Sequence, residues 1–133
     1  MKKSKLIFYF IIGFIIIWAS IYASITYVTK YKKNVCDTST APDSQYTLTL
    51  LSLGEPEWPQ GVADGRLILE NTAGKISQID FELRNNGGNV NKNCWKVNWQ
   101  KNYVEIVISG SEQFDEEILL YFDGKTDRKQ LIN

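Results

Sequence analysis

The alternation of apolar and polar residues divides the chain into one long apolar run and a series of short strands. Leu6 to Thr29 forms a run of 24 residues without a charged side chain. A helix of that length is about 36 Å long, enough to cross a hydrocarbon core of about 30 Å. The run predicts a transmembrane helix over residues 6–29, with a cytoplasmic N-terminus over residues 1–5.

Residues beyond the run read as a stalk, a small β-domain and a tail. Residues 30–45 are polar and lack helical or strand periodicity, which predicts a stalk. Predicted strands cover residues 46–53, 66–70, 75–83, 94–99, 103–110 and 118–124. The apolar phase changes after Leu51, which predicts a β-bulge or strand end, and the N-T-A-G turn at residues 71–74 predicts a hairpin.

The predicted fold class is a single N-terminal transmembrane helix followed by a small all-β domain over residues 46–124. The domain is an antiparallel meander or small sandwich of about six strands, because its elements are short, β-branched or aromatic, and bounded by turn residues. Residues 125–133 are predicted to be a frayed tail.

The apolar run has three other interpretations, which the sequence favours less than a signal anchor. A cleaved signal peptide with Ala23 at the cut requires a shorter apolar core and a small residue in place of Ile21. A lipoprotein requires a cysteine at the end of the run, whereas Cys36 lies beyond the lysines. A buried helix of a soluble core is hard to reconcile with 24 uncharged residues.

The sequence only weakly determines how the helix is oriented across the membrane, because three lysines precede the run and three follow it. The N-terminal amine adds one charge on the leading side. Cys36 and Cys94, the only cysteines, lie together in the region after the run, and such a pair fits an oxidising compartment. We therefore predict a bacterial inner-membrane protein with its C-terminal domain in the periplasm.

Composition excludes several functions. The chain contains no histidine, which removes the usual general base near neutral pH and most zinc sites. From Asn34 onward 9 basic residues face 15 acidic ones, a net charge of −6, which disfavours nucleic-acid binding. D-G-K-T-D lacks the remaining ligands of a calcium loop, and N-N-G-G-N has no lysine for phosphate. We predict no enzyme, cofactor or metal site.

The stretch C-W-K-V-N-W, residues 94–99, is predicted to be a strand with two faces. Trp95, Val97 and Trp99 form one face and are expected in the core, while Cys94 points the other way. A catalytic cysteine has no histidine partner. A Cys36–Cys94 disulfide that clamps the stalk across the outside of the sheet is the preferred interpretation, and two free buried thiols are the alternative.

Two features are candidate partner-binding residues. Trp58 lies in a glycine- and proline-rich loop, where it either folds back as a lid or stands exposed as an interface anchor. Acidic residues cluster later in the chain, at Glu112, Asp115, Glu116 and Glu117. They form either a solvated loop or a negative patch that attracts a basic partner.

The order of elements resembles a group of known proteins. The runs W-P-Q-G, G-R-L-I-L-E-N, K-I-x-x-I-D-F-E-L, C-W-K-V-N-W-Q-K-N-Y-V-E-I-V-I-S-G and L-Y-F-D-G carry the resemblance over about residues 46 to 124. They resemble small uncharacterised bacterial membrane-anchored proteins with a β-rich extracytoplasmic domain, some of which are similar to immunity partners of secreted antibacterial toxins. The resemblance implies no functional residues.

The sequence therefore predicts a non-enzymatic, membrane-anchored periplasmic protein-binding domain, most concretely a toxin-immunity protein that acts by occlusion. The expected partner is a basic protein, with no nucleic acid and no small-molecule substrate. The second class is a structural or accessory subunit of a cell-envelope complex that docks through its transmembrane helix. Small residues at Gly13, Ala19, Ser20, Ala23 and Ser24 fit such a helix contact.

Overall fold

The apolar run folds into one long helix. The computed structural model describes residues 2–57, 59 and 61–132. Helix α1 spans Lys2–Thr26 and continues into a π-helical turn, Tyr27–Tyr31. Together they form the one helix of the described residues that is long and apolar enough to cross a membrane, and none of its central apolar window is buried against the protein. A signal sequence meets the same criteria of length and composition.

The rest of the chain forms two antiparallel sheets of four strands each, in the order of the sequence. The first sheet contains β1 (Lys33–Thr40), β2 (Tyr46–Leu53), β3 (Ala63–Asn71) and β4 (Gly74–Leu83). The second contains β5 (Trp95–Trp99), β6 (Tyr103–Ile108), β7 (Glu116–Tyr121) and β8 (Thr126–Gln130). A 3₁₀ turn, Lys92–Cys94, leads into β5. Both sheets are meanders, because each strand pairs with its sequence neighbour.

One hydrophobic core joins the two sheets. Every second side chain of the inner strands points into it, as strand alternation requires. The fully buried members from the first sheet are Leu48, Leu50, Leu67, Leu69 and Leu83, and those from the second are Val104, Ile106, Ile108, Ile118 and Leu120. The domain is therefore a small β-sandwich, which confirms the predicted class of helix plus all-β domain, with eight strands in place of about six.

Two strands lie where the sequence predicted none. β1 occupies the predicted stalk and β8 occupies the predicted tail, and both are edge strands of their sheets. All five residues of β8 are exposed, and β1 is mostly exposed. Such strands are held by backbone hydrogen bonds and need no apolar alternation, so the pattern did not reveal them. The prediction of a stalk over residues 30–45 is wrong for residues 33–40, and that of a frayed tail is wrong for residues 126–130.

The predicted irregularity near Leu51 lies on the neighbouring strand. The pairing of β1 with β2 shifts between Val35 and Asp37, so Cys36 is the extra residue of a bulge opposite Leu50 and Leu51. β2 itself stays continuous, and Leu50 and Leu51 are both buried although they point to opposite faces. The phase change in the sequence reflects burial on both faces of this inner strand.

The helix is bonded directly to the domain. The backbone N–H of Glu55 donates to the Thr29 carbonyl over 2.6 Å, and the N–H of Gly54 donates to the Lys32 carbonyl over 2.7 Å. A Cβ on Gly54 would lie 2.2 Å from the Thr29 oxygen, so only glycine fits this contact. These bonds satisfy carbonyls that a helix end otherwise leaves free. We call this contact the helix–domain joint.

Two tryptophans connect the edges β1 and β5. The indole N–H of Trp95 donates to the Asp37 carboxylate over 3.0 Å, and that of Trp99 donates to the Ser39 hydroxyl over 2.9 Å. Buried indoles usually need such a partner. β1 is therefore held to the second sheet by side chains as well as to β2 by its backbone.

Trp95→Phe is expected to destabilise the domain by about 2 kcal/mol, since it removes a hydrogen bond to a charged acceptor from a buried site. Trp99→Phe removes a bond to a neutral hydroxyl and is expected to cost about 1 kcal/mol. The measurement is urea unfolding of the full chain in detergent micelles. No change in either variant would show that β1 does not pack on the second sheet.

Candidate functional site

A groove of about 910 Å³ surrounds the free edge of β4. It lies at the end of the sandwich next to the helix, which we call the helix-proximal end. Lys30 and Tyr31 of the π-helical turn line it together with side chains of β3 and β4. Phe114, from the loop between β6 and β7, and strand β8 form the opposite wall. The groove is thus built jointly by the helix end and the domain.

Ion pairs fix part of the groove wall. Arg66 holds Asp80 with two parallel bonds, from Nε over 2.6 Å and from Nη2 over 3.1 Å. This bidentate pair lowers the pKa of the Asp80 carboxyl, chiefly through the hydrogen bond. Arg128 bonds to Glu116 through Nε and also donates from Nη1 to the Asp80 backbone carbonyl over 3.0 Å. Arg128 therefore joins the edges β4 and β8 across the open side of the sandwich.

Two carboxylates in the same groove lack such partners. Asp64 and Glu82 stand directly opposite each other on β3 and β4. Neither forms an ion pair with any described residue. Partial burial raises the pKa of Asp64, and the like charges of Glu82, Glu57 and Asp80 raise it further. Like charges directly opposite on paired strands are destabilising, so this is a locally uncompensated negative site.

We expect the charge of Asp64 to destabilise the fold, by an amount that depends on pH. Its carboxyl ionises with a pKa near 3.8 when unfolded and higher when folded, so ionisation subtracts stability as pH rises through this interval. Asp64→Asn is expected to raise the free energy of unfolding by about 0.5 kcal/mol at neutral pH. The substitution should change this free energy little at a pH low enough to protonate Asp64 in both the folded and the unfolded chain.

Urea unfolding across an acid-to-neutral series measures this dependence. The matched control is Asp80→Asn, whose carboxyl has a lowered pKa in the fold. Stability from Asp80 is present above its unfolded pKa and is lost as pH falls, so this variant is expected to be destabilised at neutral pH only. A neutral-pH loss of stability in Asp64→Asn would contradict the assigned repulsion.

The predicted acidic residues are distributed over a loop and a strand. Glu112 is exposed in the loop, and Asp115 ends it. Glu116 and Glu117 belong to β7 and point to opposite faces, with Glu116 paired to Arg128 and Glu117 to Lys129 over 3.2 Å. Only Glu116 of the four lines the groove. Strand alternation thus divides Glu116 and Glu117 between two faces, and each of them has a cationic partner.

A second carboxylate pair lies on the outer face of the second sheet. A hydrogen bond between Glu105 and Glu117 raises the pKa of Glu105, because the protonated form donates it. The same bond and Lys129 lower the pKa of Glu117. The two carboxyls therefore share one proton in acid solution, and Glu105 is the one that keeps it.

Both cysteines are free thiols, which does not support the predicted disulfide. Cys94 is 4% exposed and belongs to the core, so its placement on the outer face is wrong. The cause is the 3₁₀ turn that ends at Cys94, which breaks the strand alternation there. The Cys36 thiol packs against the same core and donates to the Val90 carbonyl over 3.2 Å. A clamp across the outside of the sheet is wrong as well, since β1 is part of the sheet.

Both thiols are expected to react with iodoacetamide when the full chain is unfolded without reductant. Mass spectrometry should then find two alkylated cysteines per chain. The same sample reduced before alkylation is the control, and the two samples are expected to give equal mass. A lower mass in the unreduced sample alone would show that the two sulfurs are bonded.

The predicted tryptophan face is partly confirmed. Trp95 is buried in the core, and Val97 and Trp99 are half-buried against it. At the other end of the sandwich Trp99 lies beside Phe122, and Phe122 stacks on Tyr46 with ring centroids 3.9 Å apart. A depression of about 430 Å³ borders these rings. Trp58, the predicted interface anchor, lies outside the described residues.

Asp64 and Glu82 are the functional candidates that the sequence did not single out. They lie 18 positions apart, and each is an ordinary polar residue of an alternating strand. Alternation places both on the outer face of the first sheet, but only the pairing register brings them opposite each other. The hairpin turn was predicted, but its register alone would place Asp64 opposite Phe81. An irregularity in the pairing between Leu69 and Glu70 shifts the register by one residue and brings Asp64 opposite Glu82, and no signal in the sequence indicated that shift.

No protein-family model matches the chain, and no curated protein and no solved structure matches it. The assignable class is therefore structural: a long apolar N-terminal helix joined to an eight-stranded β-sandwich, with a charged groove at their junction.

Proposed function

We propose that this chain is a membrane-anchored, extracytoplasmic protein-binding domain without catalytic activity. The groove at the helix-proximal end carries the proposal, because the helix end forms part of its wall. If α1 crosses the membrane, the groove lies at the membrane surface, where a partner meets the helix and the domain together. Arginine and aromatic side chains, which are enriched at protein interfaces, form part of the groove lining.

The anchor is supported by the free surface of α1. No residue of this helix is buried, and its apolar side chains are exposed on all sides. So large an apolar surface needs lipid or a partner to cover it. The helix–domain joint then holds the domain at the membrane without a flexible stalk.

The proposed orientation places the sandwich in the periplasm of a bacterium. The short leading segment carries three lysines and no acidic residue, which favours its retention in the cytoplasm. Three lysines also follow the helix, so orientation needs a direct test. A C-terminal fusion to a phosphatase that folds only outside the cytoplasm should be active. Activity only from a cytoplasmic reporter would reverse the orientation.

The most concrete form of this function is toxin immunity by occlusion. It is supported by the net negative charge of the domain and by the uncompensated carboxylates of the groove, which suit a basic partner. The test is deletion of the gene in its host, followed by co-culture with toxin-producing siblings. We expect loss of survival, restored by the intact chain. Unchanged survival without any co-purifying toxin would overturn the proposal.

The exposed helix surface favours a second function, an accessory subunit of a membrane complex that docks through α1. The hydroxyls of Ser20 and Ser24 bond to carbonyls of their own helix, which leaves a small-residue surface that allows close approach of another helix. Replacing α1 by an unrelated anchor separates the two functions. Immunity is expected to survive this replacement, whereas an accessory subunit is expected to lose its complex.

A further inference from the structure

The free edge of β4 presents backbone hydrogen-bonding groups, and residues 80–82 of this strand line the groove. Two contacts on this side establish their direction: the Asp80 carbonyl accepts from Arg128, and the Arg84 N–H donates to the Gln113 side chain over 2.6 Å. Strand backbones repeat every two residues, so Gln78 and Glu82 direct their N–H and C=O groups to the same side. In the described part of the chain no side chain and no loop bonds to these groups.

One end of the edge already pairs with another piece of chain. The N–H of Glu112 donates to the Arg84 carbonyl over 3.1 Å, beside the bond from Arg84 to Gln113. The loop between β6 and β7 thus occupies the place of an additional strand at Arg84 and leaves Gln78 and Glu82 open, while the Asp80 carbonyl between them is bonded to Arg128. Five residues of strand span about 16 Å, long enough for a short extended segment.

Two acidic side chains beside this edge would be stabilised by a positive charge. Asp80 is satisfied by Arg66, but Asp64 and Glu82 have no cationic partner among the described residues. The cations Lys30, Arg84 and Lys129 also line the groove, yet none of them forms an ion pair with these carboxylates. The described residues contain no acidic cluster arranged to hold a metal ion. A lysine or arginine of a partner is the chemistry that fits.

We infer that the groove receives an extended, basic segment of a partner protein, which pairs as an additional strand with residues 78–82 of β4 and places a cation between Asp64 and Glu82. This inference rests on the proposed protein-binding function and names its partner chemistry. Main-chain bonds to the edge supply affinity, and the alternate side chains supply specificity. On binding, the segment takes over the Asp80 carbonyl from Arg128, which keeps its pair with Glu116.

The inference is tested on the full chain in detergent micelles with a library of synthetic peptides of about eight residues, a length that covers a typical strand. The enriched peptides are expected to carry lysine or arginine at alternate positions. Bound peptide should protect the amides of Gln78 and Glu82 from hydrogen exchange. Enrichment without a basic preference, no enrichment, or protection elsewhere would overturn the inference.

Two pairs of variants test charge and backbone separately. Asp64→Asn combined with Glu82→Gln is expected to weaken the selected peptide about tenfold or more, whereas Glu70→Gln, on the same face of β3, should not. Gln78→Pro removes a donor on the free side and leaves the β3 ladder intact, so binding should be lost. Thr126→Pro makes the same change at the first residue of edge strand β8 and should leave binding unchanged. Equal effects within either pair would overturn the inference.

The co-culture assay distinguishes failure of this inference from failure of the proposed function. If the Asp64→Asn, Glu82→Gln double variant still protects the deletion strain fully, the groove is not the contact, although the protein-binding function stands. If deletion itself has no effect on survival and no toxin co-purifies, the proposed function fails whatever the peptides do.

Discussion

Ile106→Ala is expected to lower the free energy of unfolding by about 3 kcal/mol, a large part of the roughly 5–15 kcal/mol that holds a small domain folded. Ile106 is completely buried in β6, an inner strand of the second sheet, and packs into the core that both sheets share. Its truncation removes transfer free energy and leaves a cavity that the neighbouring strands cannot fill. Urea unfolding of the full chain in micelles measures the loss.

Val107→Ala is the matched control for this substitution. Val107 is the next residue of the same strand and points to the outer face, where it is only half-buried. Its truncation is expected to cost about 1 kcal/mol or less, because less apolar area is removed from contact. Equal losses in the two variants would contradict a core located between the sheets.

Gly54→Ala is expected to open the helix–domain joint. Gly54 has a φ of +66°, a left-handed conformation that costs other residues about 1–2 kcal/mol. The added Cβ would also lie 2.2 Å from the Thr29 oxygen and 2.6 Å from the Lys30 Cα, both backbone atoms that cannot rotate away. The loop must therefore separate from the helix end. The N–H groups of Gly54 and Glu55 are expected to lose protection from hydrogen exchange, while core amides of β6 keep theirs.

Gly74→Ala provides the control for this effect. Gly74 also has positive φ, at +133°, but no atom lies within 4 Å of the position its Cβ would take. This variant is expected to show the conformational cost of the hairpin turn with the joint intact. Retained protection of Glu55 in Gly54→Ala would show that the helix and the domain are not held together by these bonds.

The inner strands were predictable because burial of one face of a strand produces an alternation of apolar and polar residues in the sequence. β2, β3, β6 and β7 carry apolar residues at every second position, and these positions form the core. The N-T-A-G hairpin was predictable as well, since the Asn71 side chain accepts from the N–H groups of Ala73 and Gly74. The apolar helix follows from length and composition alone.

The edge strands and the groove could not be predicted from such patterns. β1 and β8 are polar because one side of each strand faces water, and their bonds are backbone bonds that any residue can make. Cys94 was misplaced because one 3₁₀ turn reverses the alternation. Glu116 and Glu117 are neighbours in the sequence and point to opposite faces of β7, whereas Asp64 and Glu82 are distant in the sequence and lie opposite each other in the sheet.

The sequence by itself determined the apolar helix, the all-β class of the domain and the apolar positions of its inner strands, because each depends on local periodicity and on the transfer of side chains out of water. The tertiary structure alone decided which strands form the edges, how the helix end joins the loop at Gly54, and which charges share the groove. Those features depend on the register of strand pairing and on backbone hydrogen bonds between distant segments, which side-chain identity along the chain does not encode.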